Sequence, residues 1–224
     1  MTELLTEQAD RDGRRVTAPN QELRSSSARF GAFTDAVVAI AMTLLILPLM
    51  ENVPEAGRES ITVAQYLHEH DGQLLTFLIS FVLIAMFWVL HHRVFRADTP
   101  GLPRRTVVNF AWMLTIVLMP VSTALTGELE ADRLLLLVYV GNLVISSWLL
   151  FALTVIESSQ RRRHDLITPN RTVLAAPLAM SILFTLVLAT CMLAPQLAYF
   201  PLFAMTLTAP LRALLIRMGL RDAV

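Results

Sequence analysis

A chain of 224 residues with 18 basic and 18 acidic side chains and 55% hydrophobic content has a positive mean hydropathy. That composition belongs to an integral membrane protein, because a water-soluble domain of this length does not carry so many long apolar runs. Too little chain lies outside those runs for a separate globular catalytic domain. The single cysteine, Cys191, lies within an apolar run, which excludes a disulfide framework or a cysteine-based metal site within one chain.

Residues 1–28 read as a mobile, solvated cytoplasmic tail, rich in Glu, Gln, Arg and Ser with no apolar period. This start is polar through Arg29, so no cleaved leader is expected. Six apolar runs then follow, at 33–50, 73–91, 107–125, 134–156, 172–193 and 196–216. Each is near the roughly 20 helical residues that cross a bilayer core of about 30 Å. The expected fold is therefore an all-α membrane protein with six transmembrane helices per chain. The membrane domain occupies 29–217, and 218–224 form a short cytoplasmic tail. Pro48, Pro120, Pro177, Pro201 and Pro210 fall within the runs, as membrane helices tolerate. Only Ala194-Pro195 separates the last two, which predicts a tight helical hairpin.

Arginine placement sets the expected topology, since cytoplasmic loops retain the positive residues. One side of the six-helix layout holds 16 of the 18 arginines, in the N-terminal tail, the second-to-third and fourth-to-fifth connections and the C-terminal end. The other side holds only Arg58 and Arg133, with Glu51, Glu55, Glu59, Glu69, Asp71, Glu128, Glu130 and Asp132. Both termini are therefore expected in the cytoplasm. The outer carboxylates concentrate cations on one reading; on the other, favoured, reading they only keep outer loops soluble.

The most informative stretch is Arg29-Phe30-Gly31-Ala32-Phe33-Thr34-Asp35, which runs straight into the apolar residues 36–50. Ionisable groups are expensive at membrane depth, so Asp35 is a functional-site candidate. Beyond it the helix is bare except for Thr43. At 3.6 residues per turn, Ile40, Leu44 and Leu47 form one stripe, continued toward the tail by Phe33, Ala36 and Val37. Asp35 lies about 140° away from Ile40 around the helix. Its carboxylate is therefore expected to anchor the helix to a neighbour instead of sharing a line with the leucines. Thr43 flanks the stripe, where it either lines a path or bonds back to a carbonyl one turn earlier.

Partners for Asp35 are available at the end of the second run, Phe87-Trp88-Val89-Leu90-His91-His92-Arg93. Trp88 and His92, four apart, share a face. A satisfied network of indole, imidazoles and carboxylate rigidifies packing. A metal site is the weaker reading. Adjacent residues on a helix point about 100° apart, so His91 and His92 do not readily hold one ion together.

Arg29-x-x-x-Phe33-Thr34-Asp35 and the helix after it resemble the first-helix signature, Arg-x-x-x-Phe-Ser-Asp, of the transmembrane protein 175 family of potassium channels. The Trp88, His91, His92 and Arg93 segment resembles the element that accompanies it there. Thr34 replaces the usual serine and keeps the hydroxyl. The resemblance implies a pore lined by the first helix of each subunit, without a Thr-Val-Gly-Tyr-Gly filter. It implies a hydrophobic constriction at Ile40, Leu44 and Leu47, and a hydroxyl layer at Thr43. Arg29, Phe33, Thr34 and Asp35, with Trp88, His91 and His92, would tie the pore helix to its surroundings. Family members with the unit twice are dimers. This chain carries the motif once, and its resemblance to single-unit prokaryotic members implies a homotetramer.

The resulting expectation is a potassium-selective leak-type cation channel in a prokaryotic plasma membrane, not an enzyme. Its partners would be identical subunits and membrane lipid, with no nucleic acid. No cofactor is expected, and potassium is the permeant ion. A non-conducting membrane scaffold is the first alternative. A secondary transporter is weaker, because the middles of the runs lack acids and bases. An intramembrane enzyme is weaker still, because no nucleophile–base pair sits at membrane depth.

Overall fold

The computed structural model describes residues 27–58, 61–94, 103–130, 132–163 and 172–193, all of them helical or in short connections. The sixth apolar run, 196–216, and its hairpin with the fifth lie outside the described residues, as do 1–26 and 218–224. The described helices are α1 (27–44), α2 (Leu47–Arg58), α3 (Val63–Glu69), α4 (Asp71–Val94), α5 (Pro103–Glu128), α6 (Arg133–Arg163) and α7 (Thr172–Leu193). Five spans among them are long and apolar enough to cross a membrane: Ser27–Arg58, Asp71–Val94, Pro103–Glu128, Arg133–Ser159 and Leu174–Leu193. The chain is a multi-pass, all-helical membrane protein over these residues.

Helices outrun the apolar stretches at most ends. The fourth run, expected to stop at 156, continues as helix to Arg163, and the third starts at Pro103 instead of 107. Hydropathy reports where lipid surrounds a helix, whereas backbone hydrogen bonding lets the helix continue into the polar interface. Pro103 opens α5 at the first helical position, where its missing N–H costs nothing. Asp132 caps α6 by accepting from the Leu135 N–H at 2.6 Å.

The first span is broken once. Pro48 has no N–H for the Leu44 carbonyl, and its ring crowds that carbonyl. Leu45 and Ile46 accordingly form a turn between α1 and α2. There the Ile46 N–H reaches back only three residues, to the Thr43 carbonyl at 3.4 Å, before Met50 N–H resumes the helical step to Ile46 O at 3.1 Å.

The short α3, which the apolar pattern does not announce, is built by a capping box. Thr62 Oγ1 accepts from the Gln65 N–H while the Gln65 side chain accepts from the Thr62 N–H. Tyr66 on α3 donates its hydroxyl proton to the Leu49 carbonyl at 2.5 Å, and Asn52 Nδ2 donates to Gln73 Oε1 at 3.2 Å. These bonds fasten α2 to α3 and α4.

Helix α6 runs between α5 and α7, and α4 packs on α5. Their core holds Ile84 and Phe87 of α4, Trp112, Ile116 and Met119 of α5, Leu143, Leu150 and Leu153 of α6, and Met180 and Phe184 of α7. Val38, Ala41 and Leu45 join it from the first span. Hydroxyls cross the seams where lipid offers no partner. Thr123 Oγ1 donates to Ser80 Oγ at 2.8 Å, and the Ser80 and Tyr139 hydroxyls are bonded at 3.0 Å. Ser146 Oγ donates to Thr115 Oγ1 at 2.6 Å, and Asn142 Nδ2 to the Thr115 carbonyl at 2.9 Å.

Candidate functional site

The first span has two opposed faces. Thr34, Val38, Ala41, Leu45 and Leu49, spaced four, three, four and four residues apart, are all buried. That spacing is a single seam on a helix. The other face is apolar yet left exposed by the described residues: Ile40 is 58% exposed, Leu44 38% and Leu47 44%. Phe33 is exposed as well, at the tail end of this face. Val37, expected on the exposed stripe, packs instead against the core, because it sits one position from the buried Val38. Thr43 is exposed, and its hydroxyl donates to the Ile40 carbonyl at 2.7 Å. The bond uses the hydroxyl proton and leaves the oxygen as an acceptor.

Near its start, α1 is held by two sets of side-chain bonds. Trp88 Nε1 donates to Asp35 Oδ1 at 2.9 Å. His92, one turn along α4 from Trp88, is exposed and lies with its ring centroid 5.4 Å from the indole. The second set is fully buried: Asn109 Nδ2 donates to Thr34 Oγ1 at 3.1 Å, and His91 Nε2 donates to Asn109 Oδ1 at 2.6 Å. Thr34 in turn donates to the Phe30 carbonyl at 3.0 Å. The His91 ring lies 4.2 Å from that of Trp112 and nearly parallel to it. His91 thus bonds α5 through its Nε2, and it borders the same cavity as Asp35. Adjacent residues diverge by about 100° on a helix, so His91 turns inward where His92 stays outside.

Arg29 is exposed at the first turns of α1, and Phe33 stands 6.3 Å from Phe110 of α5. A cavity of about 160 Å³ lies among Ser27, Gly31 and Asp35 of α1, His91 and His92 of α4, and Arg105 of α5. Its wall is more apolar than polar, with the charged and imidazole side chains at its border.

Asn109 is the hub that the sequence reading overlooks. The signal was present: it is a lone amide inside the apolar run of α5, and such a group needs a partner on another helix. Arg105 and Glu157 were also missed as an ion pair. Arg105 was assigned to a cytoplasmic connection and Glu157 fell just past its run, yet both are buried within helices, with Arg105 Nη1 3.6 Å from Glu157 Oε2.

Comparison with known proteins adds to this geometry. Residues 29–120 match the sequence model of the family described as endosomal/lysosomal potassium channel TMEM175. A potassium channel of Chamaesiphon minutus is 35% identical over 118 residues, which are 50% of this chain and 54% of that one. A potassium channel of Streptomyces collinus is 32% identical over 114 residues, 49% of this chain and 52% of the relative. The endosomal/lysosomal proton channel TMEM175 of Gallus gallus is 34% identical over 108 residues, 46% of this chain and 22% of the relative. The matched stretch thus spans about half of the bacterial relatives and about a fifth of the vertebrate one. It contains the whole Thr34, Asp35, Trp88, His91 and Asn109 constellation. On these matches residues 29–120 of the chain are similar to the TMEM175 family.

Proposed function

We propose that this protein is a potassium-selective, leak-type cation channel that works as a homotetramer in a prokaryotic plasma membrane. One observation carries the reading. The motif-bearing end of α1 is bonded into its own subunit through Thr34 and Asp35, while the opposite face leaves Ile40, Leu44 and Leu47 uncovered. A helix fixed on one side with an apolar stripe on the other suits a pore wall repeated around an axis. One stripe encloses nothing, so several chains are needed.

In this reading Ile40 forms the narrowest ring, with Leu44 and Leu47 as further rings. A neck of aliphatic side chains empties of water when narrow and conducts when widened. Thr43 stands beside the rings with its proton donated to the Ile40 carbonyl. Its oxygen is then turned to accept, the polarity a dehydrating cation needs. Potassium is preferred over protons as the permeant ion because the bacterial relatives carry that name and the match covers a larger share of them.

Ion flux through the purified protein in liposomes tests the reading, first under a potassium gradient and then with sodium replacing potassium. Potassium flux is expected to exceed sodium flux. Ile40→Asn is expected to wet the neck, raising flux while lowering the potassium-over-sodium ratio. Absence of flux from a folded tetramer favours a non-conducting scaffold, in which the stripe only packs chains together. Unchanged flux and ratio in Ile40→Asn removes Ile40 from the constriction.

A further inference from the structure

Arg105 and Glu157 are 4% exposed each, among the most buried charged groups of the described residues. Arg105 Nη1 lies 3.6 Å from Glu157 Oε2, within ion-pair distance. Burying an ion pair carries a desolvation cost, and apolar residues of similar volume commonly hold a fold as well or better. The α5–α6 seam, moreover, does not depend on it. Trp112, Ile116, Tyr139, Val140, Leu143 and Leu150 lie in the same core, and two hydrogen bonds to Thr115 join the helices farther along. Stability alone therefore does not account for the pair.

Its position does. Arg105 lies one helical turn before Asn109, so the two side chains leave the same face of α5. Asn109 holds Thr34 of α1 and His91 of α4. The Arg105–Glu157 pair and the Thr34–Asn109–His91 set thus sit one turn apart on α5, the first reaching α6 and the second α4 and α1. Arg105 also borders the cavity reached by Asp35.

We propose that Arg105 and Glu157 are positioning residues that set the axial register of α5, and through Asn109 the seat of α1, and so bias the pore between conducting and non-conducting arrangements. The conduction part rests on the channel reading above. Neither residue lies on the exposed stripe, so the pair acts on how often the pore opens, not on what passes through it.

The decisive variant is the double replacement Arg105→Met with Glu157→Leu, which removes both charges and leaves neither one buried alone. Glu157→Gln and the charge exchange Arg105→Glu with Glu157→Arg accompany it. Single-channel recording in planar bilayers is expected to give an open probability changed between about twofold and about thirtyfold in the double replacement, the range of 0.5–2 kcal/mol typical of coupling residues. Unitary conductance and the potassium-over-sodium ratio should stay at their original values. The charge exchange should move open probability back toward that of the unsubstituted protein.

Amide hydrogen exchange supplies a readout that needs no conduction: protection of residues 27–38 should fall in the double replacement while α7 keeps its own. If the double replacement folds with unaltered exchange in 27–38 and unaltered open probability, the pair is packing only and the proposal is overturned. If the unsubstituted protein passes no ions but the exchange effect is present, the channel reading fails and the positioning role stands.

Discussion

Single side chains carry the first test. Asn109 bridges Thr34 and His91 with no exposure to solvent, so truncating it orphans two polar groups in an apolar interior. Asn109→Ala should therefore destabilise the protein by about 1–3 kcal/mol, read from denaturant unfolding in detergent micelles. A change within measurement error would mean that water replaces the amide. Asp35 is only half-buried and takes one indole bond. Asp35→Ala should mainly lower the yield of assembled protein on size-exclusion chromatography, and a normally assembled, fully active variant would refute an anchoring role. At this scale the sequence shows that Asp35 faces away from Ile40 and that Trp88 stands near the right depth. It does not reveal that His91 belongs to Asn109, because that choice depends on the rotation of α5 against α4, which no local pattern encodes. Glu157 is hidden for a related reason. Its neighbours Ser158, Ser159 and Arg161 read as a cytoplasmic end, and only the continuation of α6 to Arg163 brings its carboxylate against Arg105.

Whole helices pose a different question, about the break in the first span. Hydropathy merges 33–50 into one run, and Pro48 alone does not say whether the helix bends or ends. The Ile46 to Thr43 bond and the turn at Leu45–Ile46 show that it breaks and then restarts as α2. The break falls between Leu44 and Leu47, so the two leucines of the exposed stripe ride on separate helical segments. Pro48→Ala restores an N–H and removes the ring from the Leu44 carbonyl. Amide exchange at residues 45–50 should then slow by about tenfold, equivalent to about 1.4 kcal/mol of local opening free energy. Exchange as fast as in the original would assign the break to the packing of Leu45 into the core instead of to the proline. The five described membrane-length runs are legible because about 20 apolar residues admit few alternatives. Helix α3 is not, since seven residues set by a capping box carry no apolar period.

For the whole molecule, the question is how many chains share one path. An exposed apolar face on a membrane protein can meet lipid or another chain, and exposure alone does not choose. What distinguishes α1 is that its exposed apolar residues sit on the span that also carries Thr34 and Asp35, both bonded inward. If four chains each contribute one stripe, mixing subunits gives a graded result. Co-expressing the original chain with Ile40→Asn should produce channels in discrete classes, set by zero to four substituted chains. Unitary conductance should step upward and selectivity downward as the share of Ile40→Asn rises. Native mass spectrometry of the same preparation should give masses of four chains with matching proportions. Two conductance classes alone, with no intermediates, would mean that each chain conducts by itself, and the stripe would then have to line a path within one subunit. The opposite face of α1 packs Val38, Ala41 and Leu45 into the core, so a path shared between chains along the exposed stripe, and with it intermediate classes, is the expected outcome.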